Sequence, residues 1–352
     1  CRYHYKLKIL MFIKSTKYQI TGIIATSFAI IVITVYSLKL MVLSMDVKCN
    51  HLSGYLTIPK GASVNYVGRL LYDQNCLSHF SLFSLAMKLT LNENKLKAGR
   101  FSLENVSRMD ELIKLLTSST GEIVKTVIYE GYTIQQIAQV FTSILDIDEE
   151  RFMYLCRDKD FIKSLNINSP TLEGYLFPDT YQFLTSYMEA DLIKIMVANF
   201  HQKMKKVLDN TTQSVNMVQS DIVILASIIQ GEAMLIDEME MISSVYHNRL
   251  NEEMMLQADP TIQYILPSRK EKLYNKDLTI DSPYNTYMYK GLPPGAINNP
   301  GIDALKAAAY PDSTEYLYFV ANGDGRHIFS RNVEEHNKAK YRIKRKKRNN
   351  QN

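Results

Sequence analysis

One acid interrupts the apolar run ASIIQGEAM, residues 226–234: Glu232. It belongs to the helical pattern SDIVILASIIQGEAML, where Ser220 is expected to cap the helix and Asp221 suits the first turn. At about 100° per residue, Ser227, Gln230 and Gly231 fall on one side of that helix. Glu232 falls on the other, beside Leu225, Ile228 and Ile229. Apolar surroundings disfavour a charge and raise a carboxyl pKa. The result is a group able to give up a proton near neutral pH, the chemistry of a general acid. The plainer alternative is a solvated glutamate at a frayed helix end.

Other groups that could orient a polar substrate stand in short motifs. Glu173 lies in LEGYLFPDTY, Gln257 and Asp259 in LQADPTIQY, and Tyr284 and Asn285 in SPYNTY. Asp259-Pro260 could equally cap a turn, and Asn285 could equally fix a loop. Residues 284–301, YNTYMYKGLPPGAINNPG, read as a long irregular loop. Such loops usually border a site. Tyr175, Phe177, Tyr181, Tyr284, Tyr287 and Tyr289 supply ring faces of the kind that line sugar grooves, or else core. A phosphate-binding glycine loop and a GxSxG elbow are both absent. The histidines show no metal-ligand spacing, and no metal or organic cofactor is expected. Cys1, Cys49, Cys76 and Cys156 form no CxxC pair, so neither a disulfide framework nor a cysteine zinc site is expected.

The elements that must position these groups read as α+β. Residues 54–120 form a small α/β unit: a strand and helix around a Pro-Gly turn, a helix at 80–91, a short strand at 96–103, and a helix from Ser107. That last helix opens on Ser107 and Glu111, one residue off the capping-box spacing. Residues 124–141 read as strand, turn and a helix capped by Thr133. Residues 171–183 are loop and strand, 186–209 helix. The Glu232 helix and its continuation through VYHNRL follow. LQADPTIQYIL reads as loop. A helix (IDALKAAAYP), a strand (YLYFVAN), HIFS and a basic helical tail close the chain.

The charge is uneven. Residues 1–17 carry five basic residues and residues 340–348 carry seven, with no acids in either stretch. Taking those charges from the net +5 leaves the body at −7, which argues against a nucleic-acid-binding domain. Tyr18 to Leu38 is uncharged for 21 residues, long enough to cross a bilayer. The upstream basic residues place the N-terminus in the cytoplasm. No clear cleavage site follows, so an uncleaved anchor is expected over a signal peptide. A start at Met11 would leave Lys14 and Lys17 upstream of the span.

The ordered series EGYLFPDTY, ASIIQGEA, VYHNRL, LQADPTIQY, SPYNTY, GLPPGAINNPG, ALKAAAYP and YLYFVAN…HIFS…EHN resembles the endolytic murein transglycosylase, or YceG-like, family over about residues 54–340. The resemblance implies a basic cytoplasmic arm (1–17), a single transmembrane helix (18–42), a LysM-like module (50–127), a larger α+β catalytic domain (128–340) and a basic tail (341–352). It implies a single-pass inner-membrane lyase with a periplasmic catalytic domain. Such an enzyme cuts peptidoglycan glycan strands internally, leaves 1,6-anhydro ends and terminates strand elongation. Peptidoglycan synthases are the candidate partners. The family's catalytic glutamate falls on Glu232. Gln230 stands where many members carry another acid, and Gly231 where many carry Lys, so a mechanism with one carboxylate is expected. Rival readings are a hydrolytic muramidase and a non-catalytic peptidoglycan-binding adaptor.

Overall fold

The computed structural model describes residues 26–47, 49, 55–59, 61–104, 106–118, 123–145, 147–185, 187–209 and 217–349. The basic arm and the first part of the apolar span lie outside them. Helix α1, Thr26–Leu43, has a mean hydropathy of 2.0 and carries Phe28, Ile31 and Ile33 exposed. It is long and apolar enough to cross a membrane.

Contacts divide the chain into two compact units. The first reaches residue 123 and includes residues 184–186. Beyond α1 it runs β1 (Tyr55–Ile58), α2 (Val64–Asp73), α3 (Ser81–Leu89), β2 (Gly99–Ser102) and α4 (Met109–Ser118). β1 and β2 pair antiparallel, Leu56 opposite Phe101, and both side chains enter a core with Val67, Leu71, Phe83 and Leu112. Ser63 caps α2 by accepting from the Tyr66 N–H. At α4, Glu111 accepts from the Ser107 and Arg108 N–H groups. The helix starts one residue later than expected, so Glu111 stands at its third position, where the capping box needs it, and Arg108 takes the cap position in place of Ser107.

A disulfide joins Cys49 to Cys76, against expectation. The two are 27 apart in sequence, a spacing that matches no motif, and only the fold brings their Cα atoms to 4.1 Å.

The second unit holds residues 124–183 and 187–352. Its sheets are small. β3 (Ile123–Val127) pairs with β4 (Thr180–Leu184), and β5 (Tyr318–Ala321) pairs antiparallel with β6 (His327–Ser330). Helices make up most of the rest. α5 (Ile134–Leu145) opens on a Thr133/Gln136 capping box, Gln136 donating its N–H to Thr133 Oγ1 and accepting from the Thr133 N–H. Asp148 and Asp158 cap α6 (Glu149–Leu155) and α7 (Lys159–Ser164). Then come α8 (Glu189–Leu208), α9 (Gln219–Glu232), α10 (Met239–Asn251), α11 (Asp259–Ile265), α12 (Ile302–Ala309) and α13 (Val333–Asn349).

α9 is the central helix, with α10, α11 and α12 packed against it. Every residue from Ile222 to Ile229 is buried, Ser227 included. The expected two-sided pattern is therefore replaced by a helix enclosed on all sides, as a helix apolar around its circumference should be. Ser220 does not cap it. Val218 holds the cap position without a side-chain bond, and the Ser220 hydroxyl turns to Asp221.

Tyr175, Phe177 and Tyr181 are core residues rather than groove rings. Tyr175 meets Phe200 edge-on at 5.0 Å, and Tyr181 stacks on Phe183 at 5.2 Å. LQADPTIQYIL, read as loop, contains α11. Pro260 fits the first turn of that helix, where no amide donor is required.

Candidate active site

Glu232 is the last residue of α9. Its side chain enters the wall of a groove of about 1010 Å³. The groove is built from residues 130–136, Gln139, Met153, Arg157, Thr171, Glu173, residues 230–234, Asp259, Pro260, Gln263, Tyr264, residues 266–269 and the loop residues Ile297 and Asn298. Tyr246, on α10, donates its hydroxyl to Glu232 Oε1 at 2.9 Å. The Asp259 N–H, at the start of α11, donates to the same carboxyl. Burial pushes the Glu232 carboxyl up to about 7, and the charge of Asp259 adds to it. The Tyr246 and Asp259 bonds and the Arg249 guanidinium pull the other way. The upward direction agrees with the sequence. The groups that hydrogen-bond the carboxyl come from α10 and α11.

Removing the Tyr246 hydroxyl takes a donor from the charged form of Glu232. Tyr246→Phe therefore raises the Glu232 pKa. The expected outcome is an alkaline limb of activity displaced upward by about one pH unit. A pH–rate profile that moves down or stays fixed counts against the bond.

Gly231 decides how closely α11 approaches α9. A Cβ there would lie 2.7 Å from Pro260 Cβ and 2.9 Å from its Cγ. A proline ring has little room to yield. Gly231→Ala gains about 1 kcal/mol in helix propensity but overpacks the contact at a cost of about 1–3 kcal/mol. The clash should win. Denaturant unfolding is expected to show net destabilisation, and activity should fall because the Asp259 N–H moves away from Glu232. A stabilised and fully active variant would reverse this reading.

The irregular loop is fastened to three other segments by consecutive asparagines. Asn298 Nδ2 donates to the Ser227 carbonyl at 2.7 Å, and the Ile297 N–H donates to Ser227 Oγ at 3.1 Å. Asn299 is fully buried. Its Oδ1 accepts from the Gly174 and Leu176 N–H groups at 3.0 and 2.9 Å. Its Nδ2 donates to the Tyr132 carbonyl at 2.9 Å and to Glu173 Oε1 at 3.0 Å. Glu173 also accepts from the Ile134 N–H at 3.0 Å, and burial raises its carboxyl to about 8. Gln230 turns away from Glu232. Its Oε1 accepts from the Gly301 N–H at 2.9 Å, and its side chain also bonds Glu130.

The structure separates the sequence candidates. Glu232, Glu173 and Asp259 line one groove, Asp259 Oδ1 also accepting from the Tyr287 hydroxyl at 2.5 Å. Asn285 does not face it. Asn285 is fully buried, its Nδ2 donates to the carbonyls of Leu278 and Ile280, and its Oδ1 accepts from the Tyr287 N–H. It fixes the loop, with both amide hydrogens committed to those carbonyls. Gln257 and Tyr284 are also outside the groove lining. Gln257 is an exposed turn residue with φ of 50°, tied by its backbone to Thr286. Tyr284 packs at 5.1 Å on Tyr264 and reaches Gly295. Sequence reasoning overlooked Tyr246 and Asn299. VYHNRL and GAINNPG had been marked as motifs, but nothing local to them names a partner.

A carboxyl poised near neutrality in the wall of a polar groove is able to give and take a proton near pH 7. The YceG-like family matches residues 56–342, and the chain belongs to that family. An endolytic murein transglycosylase of Bacillus subtilis is 33% identical over 305 residues, covering 81% of this chain and 83% of that protein. One from Streptococcus pneumoniae is 29% identical over 313 residues, 80% of this chain and 56% of that longer protein. A crystal structure of a yceG-like protein from Listeria monocytogenes is 36% identical, with a TM-score of 0.57, over 81% of this chain and 98% of its own.

Proposed function

We propose that this protein is an endolytic lytic transglycosylase of peptidoglycan, a lyase, with Glu232 as its acid–base group. The observation that carries the reading is Glu232 itself. It is a groove-wall carboxyl raised to about 7, held by Tyr246 and Asp259, in a chain whose relatives are named for this activity. A group with that pKa is divided between acid and base at neutral pH, so it can serve both steps.

In the first step protonated Glu232 gives its proton to the glycosidic oxygen between N-acetylmuramic acid and N-acetylglucosamine, and the bond from the anomeric carbon breaks. In the second, the Glu232 carboxylate accepts the proton of the muramic C6 hydroxyl as that oxygen bonds to the anomeric carbon. The acid is restored and a 1,6-anhydro ring formed without water. Glycoside hydrolases need a second carboxylate for a nucleophile or an activated water. Here the substrate's own hydroxyl replaces it. Asp259 is the groove residue best placed to orient the sugar, since its amide already fixes Glu232.

The helix α1 supports a membrane anchor, and the basic residues before it support a cytoplasmic N-terminus, with the enzyme on the far, periplasmic face of the inner membrane. That confines the active site to nascent glycan, as a terminator of elongation working beside the synthases requires. The βααβ arrangement of the first unit supports the LysM-like reading, a glycan-holding module.

The test is digestion of purified, uncrosslinked glycan strands by the full chain, with products weighed by mass spectrometry. Anhydro ends, lighter by one water than reducing ends, are expected. Reducing ends would identify a muramidase instead, and binding without cleavage an adaptor.

A further inference from the structure

We propose that Glu173 forms a separate neutral subsite in the groove, its carboxylic acid O–H donating a hydrogen bond to an acceptor oxygen of the glycan, a sugar hydroxyl or acetamido carbonyl. The inference rests on the glycan reading above and adds a role that proton transfer at Glu232 does not require.

The geometry distinguishes the two oxygens of Glu173. Oε1 takes both donors, the Ile134 N–H and Asn299 Nδ2, each at 3.0 Å. Oε2 has no hydrogen-bond partner among the described residues, and the side chain lines the groove. An oxygen that receives two N–H donors behaves as the carbonyl oxygen of the acid. The proton then belongs on Oε2, which is left to a ligand. The residue is 4% exposed, so its carboxyl is fixed in place rather than waving in water.

The groups facing Glu173 favour the neutral form. Burial is the largest influence and takes the carboxyl up to about 8, while the two hydrogen bonds and the Arg157 guanidinium act in the opposite sense. Cys156, Tyr264 and Tyr284 are the other titratable neighbours that feel Glu173, and burial drives all three upward. None of them gains a charge before Glu173 does. At pH 7 the groove therefore presents an O–H donor at this point. A neutral acid cannot activate water, so Glu173 does not supply the second carboxylate of a hydrolase.

The test measures binding rather than turnover. The full chain carrying Glu232→Gln removes cleavage and the titration of Glu232, and its affinity for purified uncrosslinked glycan strands is followed from pH 6 to 9.5. The expected result is a loss of about tenfold between pH 7 and pH 9, as Glu173 ionises and the donor becomes an acceptor. With Glu173→Gln added, the affinity should match at pH 7 and stay level to pH 9.5. Gln offers a carbonyl to Ile134 and Asn299 and an N–H to the glycan. With Glu173→Ala added instead, affinity should be about tenfold weaker at every pH. Thermal unfolding of each protein separates these effects from loss of fold. A level profile in the Glu232→Gln protein, or the same fall with and without Glu173→Gln, overturns the proposal while leaving the glycan reading intact. Absence of strand binding in all the proteins, together with no cleavage by the wild type, overturns both.

Discussion

Glu232→Gln slows formation of the anhydro products by about 10²–10⁴-fold, the usual worth of a positioned acid–base group. Gln is the sharpest replacement here. It keeps the volume and leaves a carbonyl oxygen for the Tyr246 hydroxyl and the Asp259 N–H, so the surrounding bonds survive and only proton exchange is lost. Strand affinity and thermal stability should stay close to wild type. In the wild type the pH profile should fall along one alkaline limb centred on the Glu232 pKa of about 7, since each turnover starts from the protonated acid and the carboxylate of the second step is made by the first. If the Gln variant makes anhydro ends at the wild-type rate, Glu232 is not the acid. If it makes none and has also unfolded, Tyr246→Phe still probes the same carboxyl through its pH shift alone.

Asn299→Ala is expected to be the most damaging single change to stability in the second unit, at about 3–5 kcal/mol. The side chain makes four hydrogen bonds and is fully buried. Truncation leaves the Gly174 and Leu176 amides without acceptors and takes a donor from both Glu173 and the Tyr132 carbonyl. Water cannot readily replace these bonds in a buried site, and each orphaned group costs about 1–3 kcal/mol. Differential scanning calorimetry against wild type provides the measurement. A loss under 1 kcal/mol would mean that the loop reorganises around the gap. Asn299→Asp should also destabilise, and increasingly above pH 8. Asp retains the acceptor for Gly174 and Leu176 but sets a second carboxylate against Glu173 as Glu173 ionises.

The chain's local signals were readable where local physics decides. The Thr133 cap, the strand after Pro178 and the long helix after residue 186 follow from spacing and capping alone. Glu232 stood out because an acid in an apolar helix is unusual, and the direction of its pKa shift followed from the same fact. Three kinds of feature escaped. Asn285 could be read as a ligand or as a loop fastener because an exposed loop amide and a buried one have the same letter; only the carbonyls of Leu278 and Ile280 distinguish them. Tyr175, Phe177 and Tyr181 could be read as sugar platforms or as core, and the partners that decide, Phe200 and Lys203 of α8, lie outside the motif. The Cys49–Cys76 pair and the Asn299 ties join positions 27 and more than 120 residues apart, and no periodicity carries such information. Ser220 fails as a cap because the helix begins before it, a displacement of one or two residues that propensity does not resolve.

The asparagine ties also govern how the groove wall breathes. The amides of Gly131, Ile134, Gly174, Leu176 and Asn299 are held neither by a helix nor by a sheet ladder. Each one depends on Asn299, on Glu173 or on a carbonyl that those two residues also bind. Opening any one of these segments by itself would strand the donors of the others. Hydrogen–deuterium exchange should therefore find these amides, scattered over some 170 residues of chain, exchanging at one shared rate as a single cooperative unit. The support behind the groove wall is then a latch that is wholly closed or wholly undone, and a ligand meets a surface already in its binding shape.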